Sequence, residues 1–138
     1  MVKSISLVRG IGDLNTTKKY YDKWSKKYDE HLNQWNYNAP KISIDLLKRK
    51  LIHKPKNILD LACGTGLFGK ELAKIFSTSY IYGSDISKES LIIAKEKKIY
   101  KNLTNIDFEK KKNYKTKFEL VSMIGAMTYC KNFHNLFR

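Results

Sequence analysis

The 138-residue chain is long enough for one domain, and its two cysteines are too few for a disulfide framework or a cysteine-rich zinc site. Basic residues outnumber acidic ones by 27 to 13, which gives a formal net charge of +14. The three histidines are scattered, no apolar run approaches the ~20 residues that span a bilayer, and no signal-peptide pattern follows Met1. These features predict a cytoplasmic protein with no metal site and no membrane contact.

The positive charge raises nucleic acid as a partner, but the choice of basic residue argues against specific recognition. Arginine, whose planar fork binds bases and phosphates in a bidentate way, supplies only 3 of the 27 basic residues. A lysine excess spread along the chain is more typical of a solvated surface. We therefore expect no specific nucleic-acid partner.

The first unit, residues 1–36, is predicted to be an arm followed by one amphipathic helix. Residues 1–14 alternate weakly around two glycines and carry no motif. From about Thr16, large apolar residues recur at helical spacings of three and four, namely Tyr21, Trp24, Tyr28, Leu32 and Trp35. Core packing explains this aromatic face about as well as a ligand-binding role does.

The second unit, residues 37–138, begins with a second helix. Asn38-Ala39-Pro40 is typical of a helix start, because proline is tolerated in the first turn, and apolar spacing continues to Leu51. We expect this helix to pack on the sheet beside the first strand.

The central motif is the stretch 57–69, which reads NILDLACGTGLFG. Ile58, Leu59 and Leu61 form a short apolar run, typical of a strand in a sheet that is covered on both faces. Gly64 and Gly66 permit backbone conformations that a Cβ disfavours, and a helical apolar stripe follows them. Strand, glycine turn and helix together predict the opening of a nucleotide-binding βαβ unit with a ligand at the helix N-terminus.

Asp85 ends the next predicted strand, 25 residues after Asp60. In doubly wound folds an acid about 20 residues beyond the glycine turn binds ribose hydroxyls, so we expect a ligand that carries a ribose. Spacing alone leaves two alternatives open. Gly64, Gly66 and Gly69 also match the dinucleotide pattern of dehydrogenases, and glycines are ordinary residues of turns that bind nothing.

The stretch Asp60-Leu-Ala-Cys-Gly-Thr-Gly66 resembles the first motif of the class I S-adenosylmethionine-dependent methyltransferases. Ala62 stands where the general pattern has a first glycine, while both turn glycines are kept. By this resemblance, the acid at the end of the first strand belongs to methyltransferases and not to dehydrogenases. The resemblance extends from about Tyr20 to Phe137 and implies S-adenosylmethionine as the cofactor.

The stretch Tyr21-Asp-Lys-Trp24-Ser-Lys-Lys-Tyr28-Asp29 resembles a segment ahead of the core in the group that includes the Williams-Beuren syndrome region methyltransferase. In that group the segment folds over the cofactor as a lid. The resemblance therefore implies that Trp24 and Tyr28 close the pocket and exclude water.

The same resemblance implies a cofactor site but names no catalytic residue. Its members are Trp24, Tyr28, Asp60, Cys63, Gly64, Gly66, Asp85, Ile86, Asp107 and Phe108. In this scheme the two turn glycines admit the amino-acid end of the cofactor, Asp60 orders the turn and Asp85 holds the ribose. Asp107 and Phe108 receive the adenine, although an ordinary turn explains Asp107 almost as well.

The remaining elements predict a Rossmann-like α/β sheet. Ser87 is expected to cap a helix to Lys98, with Leu91, Ile92 and Ile93 as its buried stripe. A third strand is expected at 103–106, a solvated lysine-rich connection at 109–117, a fourth strand at 118–124 and a fourth crossover helix from 132. The strand order is expected to be 3-2-1-4, and residues 125–129 are expected to line the mouth of the pocket.

By resemblance the family's sheet has seven strands, and this sequence supplies four. The fourth strand is therefore expected to be an exposed apolar edge that favours self-association. The predicted function is methyl transfer to an unidentified small-molecule acceptor. The alternative is a non-catalytic or truncated cofactor-binding half-domain that needs a second chain.

Overall fold

The computed structural model describes residues 12–136 as a four-stranded α/β domain. Its helices are α1 (Leu14–Gln34), α2 (Ala39–Lys50), α3 (Leu67–Ile75), α4 (Lys88–Glu96) and the short α5 (Phe133–Leu136), and a 3₁₀ turn spans Met127–Tyr129. Its strands are β1 (Asn57–Leu61), β2 (Tyr80–Asp85), β3 (Tyr100–Asn105) and β4 (Leu120–Met123). All neighbouring strands are parallel, in the order β3-β2-β1-β4, which confirms the predicted sheet.

Helix α1 begins two residues earlier than the apolar spacing predicts. Asp13 is its N-cap, and the carboxylate accepts the backbone N–H of Thr16 at 2.8 Å. This bond satisfies one of the amide groups that a helix start leaves without an intrahelical partner. Most of the predicted N-terminal arm lies outside the described residues.

The main apolar core lies between the sheet and the two helices α2 and α3. Ile58 of β1 and Ile81 of β2 are buried against Phe68 and Leu72 of α3, and Ile44 brings α2 into the same cluster. Burying an apolar side chain of this size contributes roughly 1.5–3 kcal/mol. Helix α2 joins this core mainly through α3, and the cluster fixes the glycine turn between β1 and α3.

Helix α4 buries small residues, which corrects the predicted stripe. Ser90 and Ala94 are buried together with Leu91, whereas Ile92 is 55% exposed. Helix α1 packs on α4, and small side chains let two helices approach each other closely. Ser87 is confirmed as the N-cap of α4, because its hydroxyl accepts the N–H of Ser90 at 3.1 Å.

The later strands differ in length from the prediction. Strand β3 begins at Tyr100, because the Tyr100 side chain is held in the core, and β4 is shorter, spanning Leu120–Met123. Between them, residues 106–119 form a connection without a helix, as expected for the lysine-rich stretch. In the described part of the chain, no helix has both the length and the apolar character needed to cross a bilayer.

Candidate functional site

The turn after β1 contains three alternate residues with left-handed backbone conformation. Ala62, Gly64 and Gly66 all have positive φ angles, of 52°, 54° and 89°. A Cβ on Gly64 would meet nothing within 4 Å, so this glycine faces open space. Gly66 is the N-cap residue of α3, and a Cβ there would lie 3.0 Å from the Tyr100 ring. The left-handed conformation of Ala62 explains why a glycine suits this position.

Asp85 joins the end of β2 to the glycine turn. Its Oδ2 accepts the backbone N–H of Gly64 at 2.9 Å, and its Oδ1 accepts the N–H of Ser87 at 2.9 Å. Burial raises the pKa of the Asp85 carboxyl, and these N–H donors oppose the rise. Each carboxylate oxygen has a second lone pair, so the group can also accept a ligand hydroxyl.

A pocket of about 80 Å³ lies between the turn, the end of β2 and helix α1. Of the predicted cofactor-binding residues, five line it, namely Tyr28, Gly64, Asp85, Ile86 and Phe108. The prediction for residues 125–129 holds for Gly125, Ala126 and Tyr129, which lie in the wall. Further lining residues are Thr17, Tyr21, Ala62, Thr65, Ser90 and Ile124.

The other five predicted residues, Asp60 among them, lie outside this pocket wall. Trp24 is buried in α1, where its indole N–H donates to Nδ1 of His31 at 2.8 Å and its ring contacts that of Tyr28. Cys63 is buried behind the turn, and burial raises the pKa of its thiol, so the thiol stays protonated. Gly66 begins α3, and Asp107 closes a turn by accepting the N–H of Glu109 at 3.0 Å.

Asp60, also outside the wall, is buried in the sheet with 1% of its surface exposed. Its carboxylate accepts the hydroxyl of Tyr100 at 2.8 Å and the hydroxyl of Ser122 at 3.0 Å. Burial raises the pKa of Asp60 to about 7, although both hydrogen bonds lower it. These bonds connect β1 to β3 and to β4, so Asp60 supports the turn through the sheet below it.

Helix α1 is fastened to the pocket by two carboxylates that the sequence interpretation did not single out. Asp29 accepts the hydroxyl of Thr65 in the glycine turn and the ammonium of Lys97 at 2.7 Å. Lys97 also donates to the carbonyl oxygen of Thr65 at 2.6 Å. Asp22 accepts the hydroxyl of Ser87 at 2.6 Å, which ties α1 to the start of α4. The sequence did contain one sign of this attachment. The pair Tyr-Asp occurs twice, seven residues apart, which places both acids on one face of the helix.

Two tyrosine hydroxyls meet at the mouth of the pocket. The Oη atoms of Tyr21 and Tyr129 lie 2.5 Å apart, so α1 is hydrogen-bonded to the segment that follows β4. Burial raises the pKa of both tyrosines. The two groups are therefore neutral hydrogen-bonding groups near pH 7 and not bases. Within residues 12–136, no group of three or more His, Cys, Asp or Glu side chains is arranged to hold a metal ion.

Comparison with known proteins identifies the family. A family profile described as a methyltransferase domain matches residues 52–133. Human methyltransferase-like protein 27 is 30% identical over 128 residues, which are 90% of this chain and 52% of that protein. A malonyl-[acyl-carrier protein] O-methyltransferase of Legionella pneumophila is 30% identical over 122 residues, which are 83% of this chain and 43% of that protein. The chain thus spans about half the length of the curated relatives it matches.

The fold is shared with a solved structure of the plantazolicin methyltransferase BpumL in complex with SAH. The TM-score is 0.55 at 18% identity, over 85% of this chain and 44% of that one. The profile match covers more than half of the chain and includes all four strands, the glycine turn and Asp85. As the resemblance of its first motif predicts, the chain belongs to the methyltransferase domain family.

Proposed function

We propose that this domain binds S-adenosylmethionine beneath α1 and supports transfer of its methyl group to a small-molecule acceptor. The observation that carries the proposal is the 2.9 Å hydrogen bond between Asp85 and the N–H of Gly64. It puts the predicted ribose-binding carboxylate and the open glycine turn in one pocket wall. Membership of the methyltransferase domain family supports this proposal and does not favour the non-catalytic alternative.

The residues of the pocket fit an adenosyl ligand chemically. Asp85 has lone pairs for ribose hydroxyls, Gly64 leaves space for close approach to the backbone, and Ile86 and Phe108 supply apolar surface for a purine ring. The cofactor supplies an electrophilic methyl group when it is bound. The protein contributes orientation and exclusion of water, and methyl transfer does not always require a dedicated protein base.

The pocket has to enlarge before such a ligand fits. Its volume is about 80 Å³, whereas sites for ligands of this size typically measure roughly 300–1,000 Å³. Helix α1 contributes Tyr21 and Tyr28 to the wall and is attached to the rest of the domain through Asp22 and Asp29. We therefore propose that α1 moves away during binding and then covers the cofactor, as the resemblance to lid-containing relatives implies.

Three further expectations from the sequence remain predictions. Among residues 12–136, β4 pairs with β1 alone, and Val121 on β4 is 54% exposed, which is consistent with self-association through this edge. The cytoplasmic location also stays a prediction. We propose that the methyl acceptor is a small molecule.

Calorimetric titration with S-adenosylhomocysteine tests the cofactor proposal. We expect saturable one-to-one binding to the purified protein and no binding of NAD under the same conditions. Mass spectrometry of the freshly purified protein provides a second readout through any cofactor that is retained. Binding of NAD without binding of S-adenosylhomocysteine would contradict the proposal and support the dehydrogenase interpretation of the glycine spacing.

A further inference from the structure

A row of aromatic rings and lysines crosses the sheet face that α2 and α3 leave uncovered. Ile81 of β2 is buried against α3, and successive residues of a strand point to opposite faces, so its neighbours Tyr80 and Tyr82 point away from α3. Tyr80 is 46% exposed. This face therefore presents aromatic surface to solvent on the side opposite the α3 core.

Ring and ammonium contacts make the row continuous. Lys101 Nζ lies 3.8 Å from the ring centroid of Tyr80 and 5.8 Å from that of Tyr82. The Phe118 ring is 5.3 Å from Tyr82 and 5.2 Å from Tyr114, in edge-to-face contact with both. Lys112 Nζ lies 5.1 Å from the centroid of Tyr114. We call these six residues, Tyr80, Lys101, Tyr82, Phe118, Tyr114 and Lys112, the aromatic–lysine row.

A groove of about 250 Å³ follows part of this row. Its wall combines the rings of Tyr82, Tyr114 and Phe118 with amide and hydroxyl side chains and with the ammonium groups of Lys112 and Lys115. No carboxylate belongs to that wall. The groove therefore offers apolar ring faces, hydrogen-bonding groups and positive charge together.

In the described part of the chain, the lysines of segment 110–117 form no ion pair with an acid. The segment 110–117 contains five lysines and no acidic residue. The ion pairs found between residues 12 and 136 use other lysines, namely Lys18, Lys27, Lys74 and Lys97. Asp107, Glu109 and Glu119 flank the segment, but its lysines outnumber them and take no part in the ion pairs found between residues 12 and 136, so an anionic partner meets a net positive segment.

We propose that the aromatic–lysine row binds single-stranded nucleic acid without sequence preference. Sequence-tolerant binding of single strands combines a positive groove that follows the phosphates with aromatic rings on which bases stack. Duplexes keep their bases stacked internally, and acidic polypeptides carry charge without planar bases, so neither uses the rings. Lysine in place of arginine suits such binding, because phosphate attraction needs charge and not a bidentate fork. The inference is consistent with the expected absence of specific recognition.

Fluorescence anisotropy with a labelled oligouridylate of about twelve nucleotides tests the proposal, since single-strand sites typically span about 4–16 nucleotides. The test variants are Tyr114→Ala and the pair Lys112→Gln/Lys115→Gln. The matched control is Lys48→Gln/Lys50→Gln, which removes the same charge from exposed positions of α2 outside the row. Circular dichroism and S-adenosylhomocysteine binding check that each variant is folded, and they keep this outcome separate from the cofactor proposal.

We expect Tyr114→Ala to weaken oligouridylate binding by about five-fold or more, the usual effect of losing one stacked base. The Lys112→Gln/Lys115→Gln variant should weaken the salt dependence of binding. The negative slope of log affinity against log salt should become about 1.4 less steep, since each phosphate contact to a single strand contributes about 0.7. The α2 control should change both quantities much less. Equal effects of the two lysine pairs, or equal affinity for a duplex or for polyglutamate, would overturn the proposal in favour of general charge attraction.

Discussion

Asp29 of α1 and Thr65 of the glycine turn are joined by a hydrogen bond from the threonine hydroxyl to the carboxylate, although 36 residues separate them in the chain. Lys97 binds the same carboxylate at 2.7 Å and the Thr65 carbonyl oxygen at 2.6 Å. One side chain of α1 thus contacts both the turn and the end of α4. If α1 moves during cofactor binding as we propose, this contact has to break.

Replacing Asp29 by alanine should loosen α1. The variant loses the bonds from Thr65 and Lys97, and because the carboxylate is partly exposed we expect a cost of about 1 kcal/mol. Amide hydrogen exchange of α1 should accelerate by about five-fold, and S-adenosylhomocysteine should associate faster in stopped-flow fluorescence. Glu30→Ala is the control, because the hydrogen bonds of Glu30 join it to Lys27 and Gln34 on the same helix. Unchanged exchange in Asp29→Ala would show that the contact does not hold the helix.

Replacing Asp85 by alanine should weaken S-adenosylhomocysteine binding by about 1–3 kcal/mol, which is the scale of losing hydrogen bonds to a charged group. The carboxylate contributes directly, through its free lone pairs, and indirectly, through the N–H of Gly64. Calorimetry provides the affinity, with the exposed Asp45→Ala of α2 as the control. An Asp85→Ala variant that is folded and binds with unchanged affinity would remove Asp85 from the site.

The raised pKa of Asp60 predicts that the stability of the folded protein depends on pH. Burial raises this pKa from 3.8 to about 7 in the folded protein, so the folded state holds a proton that the unfolded state releases. The stability that Asp60 gains from this raised pKa is fully present below the pKa of the unfolded state. It is lost as the pH rises through the pKa of the folded state.

In Asp60→Asn, this part of the pH dependence should disappear. Relative to wild type, the variant should become progressively more stable between about pH 4 and about pH 7, measured as the difference in melting temperature. One of the hydroxyls of Tyr100 and Ser122 can rotate to accept the new amide N–H, while the other still donates to the amide oxygen. The exposed Asp45→Asn should show no such trend. A difference that stays constant across this range would mean that Asp60 titrates normally.

Local patterns predicted the parts of the fold that depend on nearby residues. The apolar run before Cys63 and the two glycines after it are sufficient to indicate strand, turn and helix, and the spacing to Asp85 indicates where β2 ends. The missed features depend on tertiary contacts. Strand β3 starts at Tyr100 because that phenol reaches Asp60, and no periodicity in the sequence shows this bond. The attachment of α1 likewise depends on tertiary contacts of Asp22 and Asp29, which the lid resemblance of the Tyr-Asp repeat does not show.

Gly69→Ala should destabilise the domain even though alanine is the better helix former. A Cβ at this position of α3 would lie 2.1 Å from the hydroxyl oxygen of Tyr100 and 2.5 Å from its ring. Overpacking of this kind costs roughly 1–3 kcal/mol, and alanine regains only about 1 kcal/mol of helix propensity. Urea denaturation should show a net loss, while Lys70→Ala, at the exposed next position, should stay within about 0.5 kcal/mol of wild type. A stabilised Gly69→Ala would mean that Tyr100 moves aside without cost.

The hydroxyl contact between Tyr21 and Tyr129 predicts non-additive behaviour. Both groups stay protonated near neutral pH, and their oxygens are 2.5 Å apart, so removing either hydroxyl removes the same hydrogen bond. Tyr21→Phe and Tyr129→Phe should each lower stability by about 0.5–1.5 kcal/mol and each speed S-adenosylhomocysteine release. The double variant should cost little more than either single one, which gives a coupling energy close to the single-variant loss. Melting temperatures test this coupling without any ligand, and release rates test whether the contact also retains the cofactor. Additive losses in stability would show that the two hydroxyls act independently, and that α1 is not held at the pocket mouth by this pair.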